Sequence, residues 1–107
     1  MAMIVTTTDG IPGYEVEVLN VVFGNTVRTK HLGRDITAFL KGLVGGELEE
    51  YTDMLTDARR EAMNRMVNEA SRFGADAVVN VRFTTSVTGT RAAELMAYGT
   101  AVKLKMV

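Results

Sequence analysis

The stretch that decides the fold is Glu47–Phe73, ELEEYTDMLTDARREAMNRMVNEASRF, which runs directly into GADAVVNVRF at residues 74–83. Apolar residues recur through the first part at steps of three and four: Leu48, Tyr51, Leu55, Ala58, Ala62, Met66, Ala70 and Phe73. At about 100° per residue these positions share one side of a helix. The spacing therefore predicts one long amphipathic helix over Glu47–Phe73.

A strand is predicted directly after this helix. Gly74 stands where a helix commonly ends in a left-handed residue, and from Ala77 onwards apolar residues alternate with other residues. We expect a strand over Ala77–Thr85, a turn over Ser86–Gly89 and a last strand over Ala92–Lys105. One face of the last strand has only small residues, namely Ala97, Gly99 and Ala101, which would let a helix or another chain approach closely.

The amino-terminal part adds two strands and a second helix. Ile4–Thr8 is rich in β-branched residues and predicts an edge strand that ends in a tight loop. Tyr14–Asn25 predicts a second strand whose alternation slips at Asn20, which indicates a bulge there or burial of both faces beyond it. Gly24–Thr26 suggests a turn or a bulged strand end, and Asp35–Leu43 a short helix. The order β, β, α, α, β, β predicts an α+β fold, a sheet backed by helices on one side.

Composition favours an ordinary soluble domain. The chain has 107 residues and a net charge of −1, so we expect one domain over residues 1–107 and no nucleic-acid partner. It contains no cysteine, which excludes disulfides and thiolate metal ligands. Because no apolar run reaches the roughly 20 residues of a membrane span and no leader pattern opens the chain, we expect no membrane association and a cytoplasmic location.

Several short motifs occur in an order that resembles a known family. They are Thr6-Thr7 before a Pro-Gly turn, Val22-Phe23-Gly24-Asn25-Thr26, Gly45-Gly46 followed by Tyr51, Ala58-Arg59 with Ala62, Gly74-Ala75-Asp76-Ala77-Val78-Val79, and Tyr98-Gly99-Thr100-Ala101-Val102. As an ordered set covering nearly the whole chain, they resemble the YbjQ-like family of small bacterial proteins, which are loosely labelled heavy-metal-binding. The resemblance implies a dodecin-subunit-like two-layer sandwich that assembles into a ring-shaped homopentamer.

The metal label fits the residues poorly. Heavy metals favour thiolates and zinc favours sets of Cys and His, yet the chain has no Cys and one His. That residue, His31, lies in a basic cluster with Arg28, Lys30 and Arg34, whose charge opposes a cation. A metal site would need one ligand set repeated around a symmetry axis, in which carboxylates would suit hard ions. The candidate metal ligands are His31, Asp9, Glu15 and Glu17.

Two charged residues of the long helix lie within its apolar arc. Arg59 and Glu69 fall about 40° on either side of the centre of the stripe, where a charge requires a partner. They are ten residues apart, roughly 15 Å along the axis, and so do not pair with each other. Each is expected to meet a strand of the same subunit, another subunit, or a ligand. Intersubunit ion pairs and a binding site both remain open.

Other polar residues offer weaker candidate sites. Arg28, Lys30 and Arg34, beside the amino end of the predicted Asp35 helix, would suit an anion. Tyr98 and Thr100 would form a hydroxyl patch with Thr6–Thr8 if the first and last strands adjoin. The single His has no evident Ser or acidic partner, so we identify no catalytic residue and no specific cofactor.

The function that we expect is therefore a homo-oligomeric binding or scaffold protein. Its ligand is a small molecule or an anion held at subunit interfaces through Arg59, Glu69, Tyr98, Thr100, Arg28 and Arg34. The alternatives are a metal-ion-binding protein, as the family label suggests, and an enzyme of unspecified class.

Overall fold

The computed structural model describes the backbone of residues 2–29, 46–88 and 92–107, and the side chains of residues 2–26, 52–86 and 94–107. Its elements are β1 (Ile4–Val5), β2 (Tyr14–Thr29), α1 (Gly46–Arg72), β3 (Ala77–Thr88) and β4 (Ala92–Met106). This confirms the α+β class. The second helix that we predicted at Asp35–Leu43 lies outside the described residues.

The four strands form one mixed sheet in the order β1-β3-β4-β2. The short β1 runs parallel to β3, whereas β4 pairs antiparallel with both β3 and β2. Within the described ranges β2 is therefore the strand at one margin of the sheet. The first and last strands, β1 and β4, are separated by β3. The predicted hydroxyl patch of Thr6–Thr8 with Tyr98 and Thr100 required these strands to be neighbours, so that prediction was wrong.

The helix α1 is 27 residues long and lies across one face of the sheet. At 1.5 Å per residue it extends about 40 Å, and the molecule is elongated, with principal extents of 54 × 24 × 21 Å. Ala58, Ala62, Met66 and Ala70 are buried, as the spacing predicts. The prediction was wrong for Leu55, which is 36% exposed because it lies beyond the packed part of the helix, and for Phe73, which is 45% exposed in the turn after α1.

The helix ends in a Schellman motif, as Gly74 predicted. Gly74 has φ +74°, its N–H donates to the carbonyl of Ser71, and the Ala75 N–H donates to the carbonyl of Ala70. These bonds satisfy carbonyl groups of the last helical turn. The chain is thereby turned directly into β3.

The strand β2 is longer than predicted and bulged where predicted. The register with β4 shifts between Val18 and Asn20, which confirms the bulge rather than burial of both faces, since Val21 and Phe23 remain exposed. The turn or bulged strand end predicted at Gly24–Thr26 was wrong, because regular pairing with β4 continues through these residues to residue 29. Gly24 instead lies directly beneath the helix backbone around Arg65, where a Cβ would clash.

The strand β3 is also bulged and longer than predicted. Its register with β4 shifts between Val79 and Arg82, and Asn80 has φ +55°. Gly99 lies opposite this bulge, and a Cβ there would come 2.8 Å from Cγ1 of Val78. The turn predicted to begin at Ser86 was wrong, since the ladder with β4 continues to residue 88.

The two faces of the sheet are covered differently. On the helix side, Val22, Val78, Ala97 and Ala101 pack against Ala62, Met66 and Ala70. The small-residue face of β4 therefore accommodates α1. The other face has a smaller cluster of Ala77, Val79 and Val102, against which Ile11, Val16 and Leu104 pack. Val18, Val21 and Phe23 lie beside it, exposed by 68%, 48% and 45%.

Candidate functional site

Polar side chains of α1 bind the backbone of the marginal strand β2. The Phe23 N–H donates to Oε1 of Glu69 at 3.0 Å, and Nη1 of Arg65 donates to the carbonyl of Asn25 at 2.7 Å. Arg65 also pairs with Glu61 at 2.6 Å, and Glu61 accepts the hydroxyl of the buried Thr26 at 3.1 Å. The helix thus occupies the outward hydrogen-bonding groups of β2 at its centre, where a free strand edge would otherwise be open to pairing.

This arrangement gives Glu69 the partner that its position on the helix requires. The carboxylate is half-buried and meets a strand of the same subunit, which was one of the three alternatives. It accepts a backbone N–H rather than a positive side chain. Glu69 therefore has a structural role within the subunit.

Arg59 has a different environment. It is exposed, and the contact that the structure shows for it is a 3.5 Å hydrogen bond from Nη2 to the hydroxyl of Thr56. On the helical wheel it lies about 60° from Ala62 and between Met66 and Ala70. Among the described residues, a gap lies beside it between this part of the helix and β3.

That gap is a cleft of about 350 Å³ between the middle of α1 and β3. The residues that line it are Arg59, Arg60, Met63, Asn64 and Phe83. Phe83 pairs with Ala97, a residue of the helix-side core, and so lies on the sheet face that α1 covers. It nevertheless remains 39% exposed. The cleft therefore combines two guanidinium groups and a carboxamide with an apolar floor.

A second cavity, of about 680 Å³, lies at the carboxyl end of α1 beside Tyr14, Ser71 and Asp76. Its polar groups are mostly engaged within the subunit. Asp76 accepts the Leu104 N–H at 2.8 Å and lies 3.6 Å from the Lys103 ammonium, and the Ser71 hydroxyl donates to a helix carbonyl. The polar groups of the cleft at Arg59 have fewer contacts within the subunit than those of this second cavity.

The remaining candidates for ligand binding are not brought together with Arg59. Tyr98 and Thr100 alternate with Ala97 and Ala101, so they lie on the sheet face away from α1. Arg28 is a backbone position of β2 whose side chain lies outside the described part, and Arg34 is outside it altogether. These residues do not form one site with Arg59.

The candidate metal ligands are also separated. Asp9 is exposed in the loop before β2, and Glu15 and Glu17 are exposed on β2, opposite Lys105 and Lys103. His31 lies outside the described residues. Among the residues that the structure covers, no group of three or more His, Cys, Asp and Glu side chains could hold a metal ion.

No described helix is long and apolar enough to cross a membrane.

Sequence reasoning missed four of the residues that form the cleft: Arg60, Met63, Asn64 and Phe83. In the sequence, Phe83 is one of the alternating apolar residues that follow Ala77, and Met63 lies next to Ala62 of the helical stripe. Neither the helical nor the strand pattern indicates that a cleft separates the helix at Met63 from the strand at Phe83. The available signal was Arg59 itself, a charge on the sheet-facing side of the helix.

Relatives of the chain occur in archaea as well as bacteria. It is 73% identical over 103 residues to a UPF0145 protein of Methanoculleus marisnigri, with 95% of this chain and 96% of that protein covered. A UPF0145 protein of Archaeoglobus fulgidus is 67% identical over 104 residues, covering 96% of each chain. A third, from Thermotoga maritima, is 56% identical over 106 residues, covering 98% of this chain and all of the relative. The expectation of a bacterial family was therefore too narrow.

A solved structure shares the fold of the chain, and a family model matches its sequence. A crystal structure of a DUF74-family protein of unknown function from Pediococcus pentosaceus is similar, with a TM-score of 0.68 at 19% identity, covering 96% of this chain and 98% of that one. This likeness concerns the fold. The family model described as "Putative heavy-metal-binding" matches residues 3–105. The resemblance drawn from the ordered motifs is confirmed, and the chain belongs to the YbjQ-like family.

Proposed function

We propose that this protein is a homo-oligomeric binding module rather than an enzyme. In this proposal its subunits join through the exposed apolar part of β2, and ligands bind to clefts of the assembled subunits. The dodecin-like ring of five that the family resemblance implies is the form that we favour. Self is the partner that we propose, with no nucleic acid or membrane.

The observation that carries this proposal is the apolar surface of β2. Val18, Val21 and Phe23 are 68%, 48% and 45% exposed and follow one another on the same face of a strand at the margin of the sheet. Contiguous exposed apolar patches on soluble proteins often mark protein–protein interfaces. A second copy of the chain would bury these side chains, with a gain of about 25 cal/mol for each Å² of apolar surface.

The opposite margin of the sheet suggests what the partner copy contributes. Backbone bonds from the segment after β1 reach Asn80 and Val81 of β3. From Phe83 to residue 88, β3 has no strand partner on that side among the described residues. The exposed apolar face of β2 and the margin of β3 are two different surfaces. Contacts between different surfaces are head-to-tail, and they close into a ring when the rotation between subunits is a simple fraction of a turn.

Multi-angle light scattering and native mass spectrometry of untagged protein test this proposal. We expect one species larger than a monomer that persists on dilution. The double variant Val18→Ser/Phe23→Ser should shift it towards monomer, whereas Met106→Ser, at an apolar residue 75% exposed near the carboxyl terminus, should not. A wild-type protein that stays monomeric at millimolar concentration would refute the proposal.

The description of the family model raises metal binding as a second candidate. The chain has no cysteine and one histidine, so a heavy-metal site would need His31 or carboxylates repeated by symmetry. Calorimetric titration with Zn, Cu, Ni, Ca and Mn ions distinguishes the two candidates. Stoichiometric heat that His31→Ala abolishes would favour a metal site, and silence for all five ions would exclude one.

A further inference from the structure

We propose that the cleft lined by Arg59, Arg60, Met63, Asn64 and Phe83 binds an organic phosphate, a monoester whose body is flat and apolar. This inference rests on the proposed function in one respect: it names the class of ligand that the proposed binding module would bind. All five residues belong to one subunit. Binding in the cleft and self-assembly can therefore be measured separately.

The first support is the orientation of Arg59. It lies on the same side of α1 as Met66 and Ala70, both of which are fully buried. A charged side chain on this side would be costly if the sheet continued beneath it without a partner. The cleft instead gives the guanidinium an open space bounded by β3.

The second support is the state of the polar groups. Arg59 is bonded to the Thr56 hydroxyl at 3.5 Å, and neither it nor Arg60 has a carboxylate within ion-pair distance among the described side chains. On the same helix Arg65 is paired at 2.6 Å with Glu61. The cleft arginines are thus available for an external anion, whereas Arg65 is not.

The third support is the combination of charge with an apolar floor. Guanidinium groups donate paired hydrogen bonds to phosphate oxygens, and two of them match a doubly charged phosphate better than a single carboxylate. Phe83 offers its exposed part to a flat body, and Met63 is an adaptable wall. The volume of about 350 Å³ fits a small ligand.

Fluorescence anisotropy of 1-naphthyl phosphate tests the proposal directly. Naphthalene emission can be followed without interference from tryptophan, because the chain contains none. We expect saturable binding that weakens as salt is raised. Loss of both charges in Arg59→Gln/Arg60→Gln should weaken it about tenfold or more, and Phe83→Ser should weaken it as well.

Two sets of controls define the site. Arg72→Gln removes an exposed arginine from the last turn of the same helix and should change the affinity less than twofold. Inorganic phosphate and 1-naphthol should each compete poorly, since each supplies half of the recognised chemistry. The proposal is overturned if the double variant binds as the wild type does, if Arg72→Gln loses as much affinity, or if 1-naphthol competes as well as the phosphate ester.

Light scattering of the same samples separates this inference from self-assembly. An oligomer that does not bind the probe refutes the phosphate site and leaves assembly intact. A monomer that binds the probe, and loses it in the double variant, supports the site and refutes assembly.

Discussion

The close contact between α1 and β2 gives a sharp prediction for Gly24→Ala. A Cβ on Gly24 would lie 2.9 Å from the carbonyl carbon of Arg65 and nearer still to the carbonyl oxygen of Ala62 and the amide nitrogen of Met66. All three atoms are helix backbone, so no rotamer change relieves the overlap. Since carbon atoms pack at about 3.5–4.0 Å, the helix would have to move outwards by about 1 Å.

The cost of this displacement can be estimated from the contacts that it disturbs. Overpacking a well-packed core costs about 1–3 kcal/mol. The bonds from Phe23 to Glu69 and from Arg65 to Asn25 flank Gly24 and are each worth about 1 kcal/mol at a partly exposed site. We therefore expect Gly24→Ala to lower the free energy of unfolding by about 3–5 kcal/mol, and the melting temperature by about 15–25 °C for a domain of this size.

Urea and thermal unfolding followed by circular dichroism measure this effect, and Gly10→Ala is the matched control. A Cβ at Gly10 meets nothing within 4 Å, and its φ is not positive. Its replacement should be neutral or stabilising by up to about 1 kcal/mol, because alanine restricts the unfolded chain. If Gly24→Ala melts within about 3 °C of the wild type, the helix does not lie on β2 as described.

Substitutions at three other positions test the contact of the helix with β2, the end of the helix and the β3 bulge. Glu69→Ala removes the acceptor for the Phe23 N–H and should lower the free energy of unfolding in urea by about 1 kcal/mol. Glu69→Gln keeps an acceptor oxygen and should cost less than half as much. Equal costs for the two variants would contradict the hydrogen bond. Gly74→Ala places a side chain at φ +74° and should cost about 1–2 kcal/mol, with Gly74→Asn less affected; a neutral Gly74→Ala would argue against the Schellman motif. Gly99→Ala should cost about 1–3 kcal/mol because its Cβ meets Val78 at 2.8 Å, and an unchanged unfolding midpoint would show that the β3 bulge adjusts without cost.

Elements whose pattern is repeated locally could be predicted from the sequence. The helix α1 followed from its spacing, its end followed from Gly74, and the β2 bulge followed from the phase slip at Asn20. In each case the residues that cause the structure lie within a few positions of it. The strand bounds were less predictable, because pairing with β4 extends β2 through Gly24–Thr26 and β3 through Ser86.

Gly24 shows why local signals fail where tertiary packing decides. In sequence it stands in Gly-Asn-Thr, a combination typical of turns. In the structure it is a strand residue without a side chain, because the helix backbone occupies the space that a Cβ would need. Nothing within β2 indicates that contact, since the atoms involved come from Ala62–Met66, about forty positions along the chain.

Arg59 shows the same limit for the candidate site. Helical periodicity gives the direction in which a side chain leaves the helix, and it puts Arg59 on the side of Met66 and Ala70. It does not show whether the sheet fills the space below, and here that space is open to Phe83. A charge that points towards a core without a protein partner therefore indicates either a packing fault or a place where the second layer is missing. Among the described residues a cleft lies between Arg59 and Phe83. Two guanidinium groups without a carboxylate partner among the described side chains lie there beside an exposed aromatic ring, which is why this cleft is the place to look for a ligand.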